Sequence, residues 1–226
     1  MAGLYLDFAG GFAGAGGVIM SNGSAAISGS LLQLTSQAGQ AASAFAAAKQ
    51  NITGFACAFS FQLTNPMADG FTFCIQNNAA TAIGPAGGGL GYGPDHTGGS
   101  GGIANSVALK FDLFNNQGEG TNSTGVFTDG AAPTNVGSVD LGPTGLDLHS
   151  GHIFNVAITY NSVLDPPNTF KVTLTDTNTG TANTHSYVVD IAATVGASTA
   201  FVGFTGATGG LGATQNILNW KFSPLL

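Results

Sequence analysis

The chain has 226 residues, 43% of them hydrophobic and only 7% charged, with four lysines, no arginine and a net charge of −7. That inventory cannot neutralise a phosphate backbone or grip an anionic membrane, so nucleic acid is set aside as a partner. No run reaches the roughly 18 apolar residues of a membrane span, and 36 glycines with 16 phenylalanines do not suit a disordered chain.

The opening Met1–Asp7 lacks the basic end and long apolar stretch of a signal peptide. Low charge and a wealth of Asn, Thr, Ser and Gly suit an extracellular surface, so a secreted protein whose signal has been removed is expected. Leu4–Phe8 and Leu31–Thr35 are short apolar stretches, and the Ala-rich Ala41–Lys49 is the one helical candidate, with a loop as the alternative. Phe55–Leu63 alternates large apolar residues with Ala, Ser and Gln, the period-two signature of a strand. After the turn Asn65–Gly70 comes a second strand, Phe71–Gln76. Cys57 shares parity with Phe55, Phe59 and Phe61, whereas Cys74 is out of phase with Phe71, Phe73 and Ile75. Alternate strand residues face opposite ways, so two buried free thiols are expected in place of a bridge.

Gly84–Gly102 reads as one glycine-dense loop with close backbone approaches. Val107–Phe114 follows, with Val107, Leu109, Phe111 and Leu113 on one face and Ala108, Lys110, Asp112 and Phe114 on the other. Further strands are Ile153–Tyr160, Phe170–Asp176, His185–Ile191, Ala200–Phe204 and Ile217–Phe222. Composition does not change along the chain, and no repeat appears. Residues 1–226 therefore read as a single all-β domain, an antiparallel β-sandwich or jelly roll.

Lys110–Gly125 carries the densest chemistry. A strand ends at Asp112 and enters a loop rich in oxygen donors. Calcium takes about six to eight oxygens at about 2.3–2.6 Å. Asp112, the Phe114 carbonyl and the Asn116 side chain are placed to converge on one ion, with Glu119 or Asn122 closing the far side. The same residues also suit an ordinary Asn/Gly turn, and the residues alone leave both readings open.

The run Phe111-Asp112-Leu113-Phe114-Asn115-Asn116 resembles the metal loop of the L-type (legume-like) lectins. The resemblance implies that Asp112, Phe114 and Asn116 bind calcium, while Asn116 and the Phe114 ring also contact a sugar. Ala68-Asp69-Gly70-Phe71-Thr72-Phe73 is similar to a second motif of that family. There the Asp, here Asp69, follows a cis peptide and accepts hydrogen bonds from sugar hydroxyls. Gly87–Gly91 looks like the family's Gly-Gly-x-Leu-Gly, which makes Gly88 a backbone donor. Val202–Gly209 and Ile217–Phe222 resemble the closing loop and last strand. The loop between them, with Gly210 and Leu211 at its tip, bears on sugar preference, and Trp220 reads as core. The resemblance implies a concanavalin-like sandwich that binds glycans, is not an enzyme, pairs through its sheets into homo-oligomers, and stands closest to a bacterial or other non-plant branch.

One departure narrows this. The family's second, transition-metal site uses a Glu two residues before the calcium Asp, where this chain has Lys110, and a His whose approximate counterpart is Ser123. The expectation is one calcium, no manganese, and a Lys110 ammonium paired with Asp112. A glycosidase needs two flanking carboxylates, and a chain with Glu119 as its one glutamate offers no such cluster. Gly-x-Ser-x-Gly is absent, and His149-Ser-Gly-His152 lacks a third zinc ligand. The other reading to weigh is an extracellular structural protein that self-assembles on a lectin-like sandwich, suggested by its mean hydropathy of +0.26 and the link between apolar surface and interfaces.

Overall fold

The computed structural model describes residues 5–163 and 166–225, so Leu4 of the first apolar stretch lies outside the described residues. The chain runs through β1 (Leu6–Phe8), β2 (Ile19–Gly23), β3 (Ala26–Ser28), β4 (Leu31–Thr35), β5 (Ala41–Ala46), β6 (Gln50–Asn51), β7 (Gly54–Thr64) and β8 (Gly70–Gln76). After a long loop come β9 (Ser106–Asp112), β10 (Ser123–Thr128), β11 (Ser138–Asp140), β12 (Ile153–Asn161), β13 (Thr169–Asp176) and β14 (Ala182–Val188). A short helix, α1 (Ile191–Val195), precedes β15 (Thr199–Ala207) and β16 (Thr214–Pro224).

Two antiparallel sheets form a sandwich. The first has the order β14-β13-β12-β7-β16-β4-β3 with β1 also on β16, and the second β11-β10-β9-β8-β15-β5-β2 with β6 also on β15. The alternation in β7 turns Phe55, Cys57, Phe59, Phe61 and Leu63 inward, and β12 does the same with Phe154, Val156, Ile158 and Tyr160. The second sheet answers with Phe71, Phe73, Phe111 and Phe204. Phe204 lies edge-on to Phe59 and Trp220, each at 5.1 Å between ring centroids, and Phe71 stacks on Phe111 at 4.8 Å. Trp220 is fully buried, and its indole N–H points at Cys57 Sγ at 3.4 Å.

β8 and β9 are buried along their whole length, which one sandwich face cannot explain. Their outer faces lie beneath the loops after β8 and β10, and there Tyr92 and Ile103 form a second apolar cluster with Phe127 of β10, Cys74, Ala108 and Phe45. Cys57 belongs to the inter-sheet core and Cys74 to this outer cluster, and both thiols are free.

Two expectations are corrected. Ala41–Lys49 is neither helix nor loop over most of its length: β5 is a strand flanked by β2 and β15. Gly203 lets the backbone of β15 close in on it, since a Cβ there would stand 2.1 Å from the Ala44 carbonyl oxygen. The strand expected over His185–Ile191 instead ends at Val188, and Ile191 opens α1. Asp190 caps that helix by accepting the Ala193 N–H at 2.9 Å, and Gly196 ends it at φ 73°, a left-handed position that favours glycine.

Phe204→Ala should cost about 3–5 kcal/mol, the usual range for losing a buried aromatic ring. Urea unfolding of the full chain measures it, and a loss below about 1 kcal/mol would contradict the packing described for this ring.

Candidate ligand-binding site

The site forms where β8, β9 and β15 end together. Asp69 sits just before β8, after a cis Ala68–Asp69 peptide bond. Its N–H donates to the Ala207 carbonyl at 3.3 Å, and its own carbonyl accepts the Leu113 N–H at 2.7 Å. These bonds fasten Asp69 between the end of β15 and the loop leaving β9. Glycine must follow it: Gly70 has φ 143°, and a Cβ there would meet the Phe111 oxygen at 2.2 Å.

Asp69 is 3% exposed as a residue. Oδ1 receives a long bond from Asn116 Nδ2, 3.5 Å, and Oδ2 lacks a well-formed hydrogen bond, the Gly209 N–H lending the carboxylate its other support. Burial pushes this carboxyl above the ordinary range, with the Asp95 charge adding to the rise and the Gly209 N–H and Asn116 amide opposing it. Asn116 Oδ1 is a second buried acceptor without a partner.

Register explains why these groups meet. Asp112 ends β9 directly opposite Gly70 of β8 and Ser123 of β10, so the loop it starts is launched beside Asp69. β10 begins at Ser123, which shortens the span read as loop in Lys110–Gly125. Lys110 and Asp112 are both fully buried and joined at 2.8 Å, Nζ to Oδ2. Lys110 also donates to the Pro133 carbonyl at 3.0 Å and lies 5.3 Å above the Phe127 ring. Burial raises the Asp112 carboxyl, and the Lys110 ammonium works against that rise. Asp112 Oδ1 accepts the Phe114 N–H at 3.2 Å.

Asp69, Gly88, Phe114, Asn116, Gly210 and Leu211 all line one open cavity of about 300 Å³. Gly88 is held against Asn116, since a Cβ on it would stand 2.4 Å from the Asn116 Cγ. Phe114 is 37% exposed and Leu211 44%, giving the cavity two apolar flanks. Asp95 also lines it, a residue that no motif in the sequence singles out, and it pairs with His96 at 2.6 Å. A depression of about 560 Å³ between Pro94 and Val136 is larger. Asp69 and Asn116 make the smaller cavity the better candidate, because no unpartnered buried polar atom lines the larger one.

The legume lectin domain family matches residues 7–224. The chain belongs to that family. It is 33% identical over 177 residues to the L-type lectin-domain containing receptor kinase VIII.1 of Arabidopsis thaliana. That match takes in 76% of this chain and 24% of the relative, so the chain spans about a quarter of the relative's length. Among solved structures, the Bauhinia forficata lectin in complex with GalNAc superposes with a TM-score of 0.80 at 24% identity, covering 99% of both chains. The metal-free form of lectin I-B4 from Griffonia simplicifolia gives 0.81 at 22% identity, covering 99% of this chain and 100% of that one. These relatives lend no support to a bacterial or other non-plant branch.

The family implies calcium at this loop. Of the expected ligands, Glu119 spends both oxygens on backbone N–H groups, those of Asn116 at 2.9 Å and Gln117 at 2.6 Å. Asn122 is used at both ends, donating to the Leu146 carbonyl at 2.7 Å and accepting the Leu148 N–H at 3.1 Å. Asp112, Phe114 and Asn116 remain, with Asp112 already neutralised by Lys110. Among the described residues no group of three or more His, Cys, Asp or Glu side chains is placed to hold a metal ion. Three protein oxygens, one on a carboxylate already held by a fully buried ammonium, make a poor donor set for a divalent ion, which would have to draw the rest of its about six to eight oxygens from water.

Lys110→Met should cost about 3–5 kcal/mol, because it strands the Asp112 charge in the interior. Lys110→Met with Asp112→Leu should recover most of that loss. Equal destabilisation of the single and double variants in urea unfolding would show that the ion pair is not what the site rests on.

Proposed function

We propose that this lectin domain is a non-enzymatic, carbohydrate-binding module that works outside the cell. The observation that carries the reading is a pair of buried acceptors at one open cavity, Asp69 Oδ2 and Asn116 Oδ1, neither of which has a well-formed hydrogen bond. A buried acceptor left unpaired costs about 1–3 kcal/mol, and sugar hydroxyls are donors of the right size to recover it. In this reading Asp69 accepts from two hydroxyls, Asn116 takes part with its amide, and the Gly88 N–H donates from the facing loop. The exposed Phe114 ring offers its face to the C–H side of a pyranose, and Leu211 closes the opposite rim. The Bauhinia lectin in the superposition carries GalNAc, which supports a sugar as ligand without fixing which one.

Binding at one shallow polar site should be weak, ~0.1–1 mM or about −4 to −5 kcal/mol. Pairing of chains through their sheets, which we include in the proposal, would raise the effective strength by multivalency.

A glycan array probed with the full chain, followed by calorimetry on the hits, tests the reading. Asp69→Asn should abolish binding while leaving stability at neutral pH no lower, since it removes a carboxylate whose charged form burial disfavours. An array without hits at high probe density, or an Asp69→Asn protein that still binds, would sink the proposal.

Acid should separate binding from folding. Burial holds the Asp69 pKa above the ordinary carboxylate range, so this acceptor takes up its proton at a higher pH than a free Asp. Sugar binding is expected to fall as pH drops through that raised pKa. Over the same window the folded chain binds the proton more tightly than the unfolded chain, so this group favours folding as pH falls. Calorimetric affinity and circular dichroism, followed together on acidification, should show affinity lost while the fold persists.

A further inference from the structure

Four side chains fasten the segment between Asp112 and Ser123, and each does so through a bond that an ion is not needed to make. The buried Lys110 ammonium sits on Asp112 Oδ2 and the Pro133 carbonyl. Glu119 gathers the N–H groups of Asn116 and Gln117 and so sets the backbone from which the Asn116 amide reaches the cavity. Asn122 is bonded at both ends to the strap at Leu146 and Leu148. That strap carries His149, whose Nε2 lies 3.1 Å from the Leu113 carbonyl oxygen and 2.7 Å from that of Thr121. Carbonyl oxygens only accept hydrogen bonds, so Nε2 must bear the proton, and one N–H draws the two ends of the loop together.

Charge points the same way. Lys110 and Asp112 cancel, and Glu119 is committed to backbone donors. A divalent cation placed on Asp112 would stand against a fully buried ammonium, and repulsion between like charges is strong where water is excluded. From these contacts we infer that the binding loop is organised by its own side chains, with the Lys110 ammonium and the His149 N–H standing where bound ions would otherwise draw the loop together. Ligand binding is therefore independent of divalent cations. His149 acts as a positioning residue: it touches the loop backbone, not the cavity.

The part concerning the ligand rests on the lectin reading, so the test begins without one. The full chain, stripped with EDTA, is melted in buffer containing millimolar calcium chloride or EDTA, and calcium is titrated into the stripped protein by calorimetry. The expected result is one melting temperature under both conditions and no saturable heat. A rise of several degrees with calcium, or saturable binding below millimolar, overturns the inference and leaves the lectin reading standing with a resident ion.

On glycans that score as hits, EDTA should leave affinity unchanged, and loss of binding in EDTA overturns the inference. His149→Ala should weaken binding about threefold to tenfold, the worth of one neutral hydrogen bond, and His149→Gln, which keeps an N–H donor, should restore it. If neither His149 variant moves the affinity, the role given to that side chain is wrong. A chain without glycan hits overturns the lectin reading alone, because melting and calorimetry still decide the matter of the ions.

Discussion

The buried contact between Lys110 and Asp112 is the constraint on which the rest of the site depends. An ammonium and a carboxylate removed from water are each expensive, and they persist there only when paired and hydrogen-bonded. Here the cover is supplied by the Phe127 ring, the Pro133 carbonyl and the loops that close over the outer face of β9. Asp112 also sits at a decisive point in the register, opposite Gly70 on one neighbour and Ser123 on the other. Fixing Asp112 fixes where the chain leaves the sheet, and so where Phe114 and Asn116 arrive. The aromatic core beneath, from Phe71 and Phe111 to Phe204 and Trp220, provides the rigid floor from which these ends project.

Much of this was legible in the amino-acid order. The alternation of Phe55–Leu63 and Val107–Phe114 marks strands because each has one face in the core, and the faces assigned from parity are those observed. The opposite placement of Cys57 and Cys74 followed from the same parity. The pairing of Lys110 with Asp112 was legible because residues two apart on a strand share a face. Asp69, Gly88, Phe114, Asn116, Gly210 and Leu211 converge on one cavity although they come from four separate stretches of chain.

What was not legible has a common cause: it depends on neighbours distant in sequence. Ala41–Ala46 has the composition of a helix, and only its position between β2 and β15 makes it a strand. The close approach of its backbone to Gly203 likewise shows only in the folded chain. Glu119 and Asn122 carry oxygen donors in a loop, which suits a cation, yet the backbone N–H groups and carbonyls that occupy them appear only when the loop is folded. The role of His149 has no local mark, because its partners, Leu113 and Thr121, lie 36 and 28 positions away.

The wall of the cavity at Gly88 is shaped by a missing side chain, and this limits how the site can change over evolutionary time. Alanine at Gly88 would run into Asn116, and at Gly209 a Cβ would press on the Asp69 carboxylate at 3.2 Å. Gly210 is different: a Cβ there meets nothing within 4 Å, so any side chain added at that rim is free to lean over the opening. Divergence among descendants of this chain is thus channelled to one edge. The recognition floor stays frozen while that edge is free to drift towards new ligands.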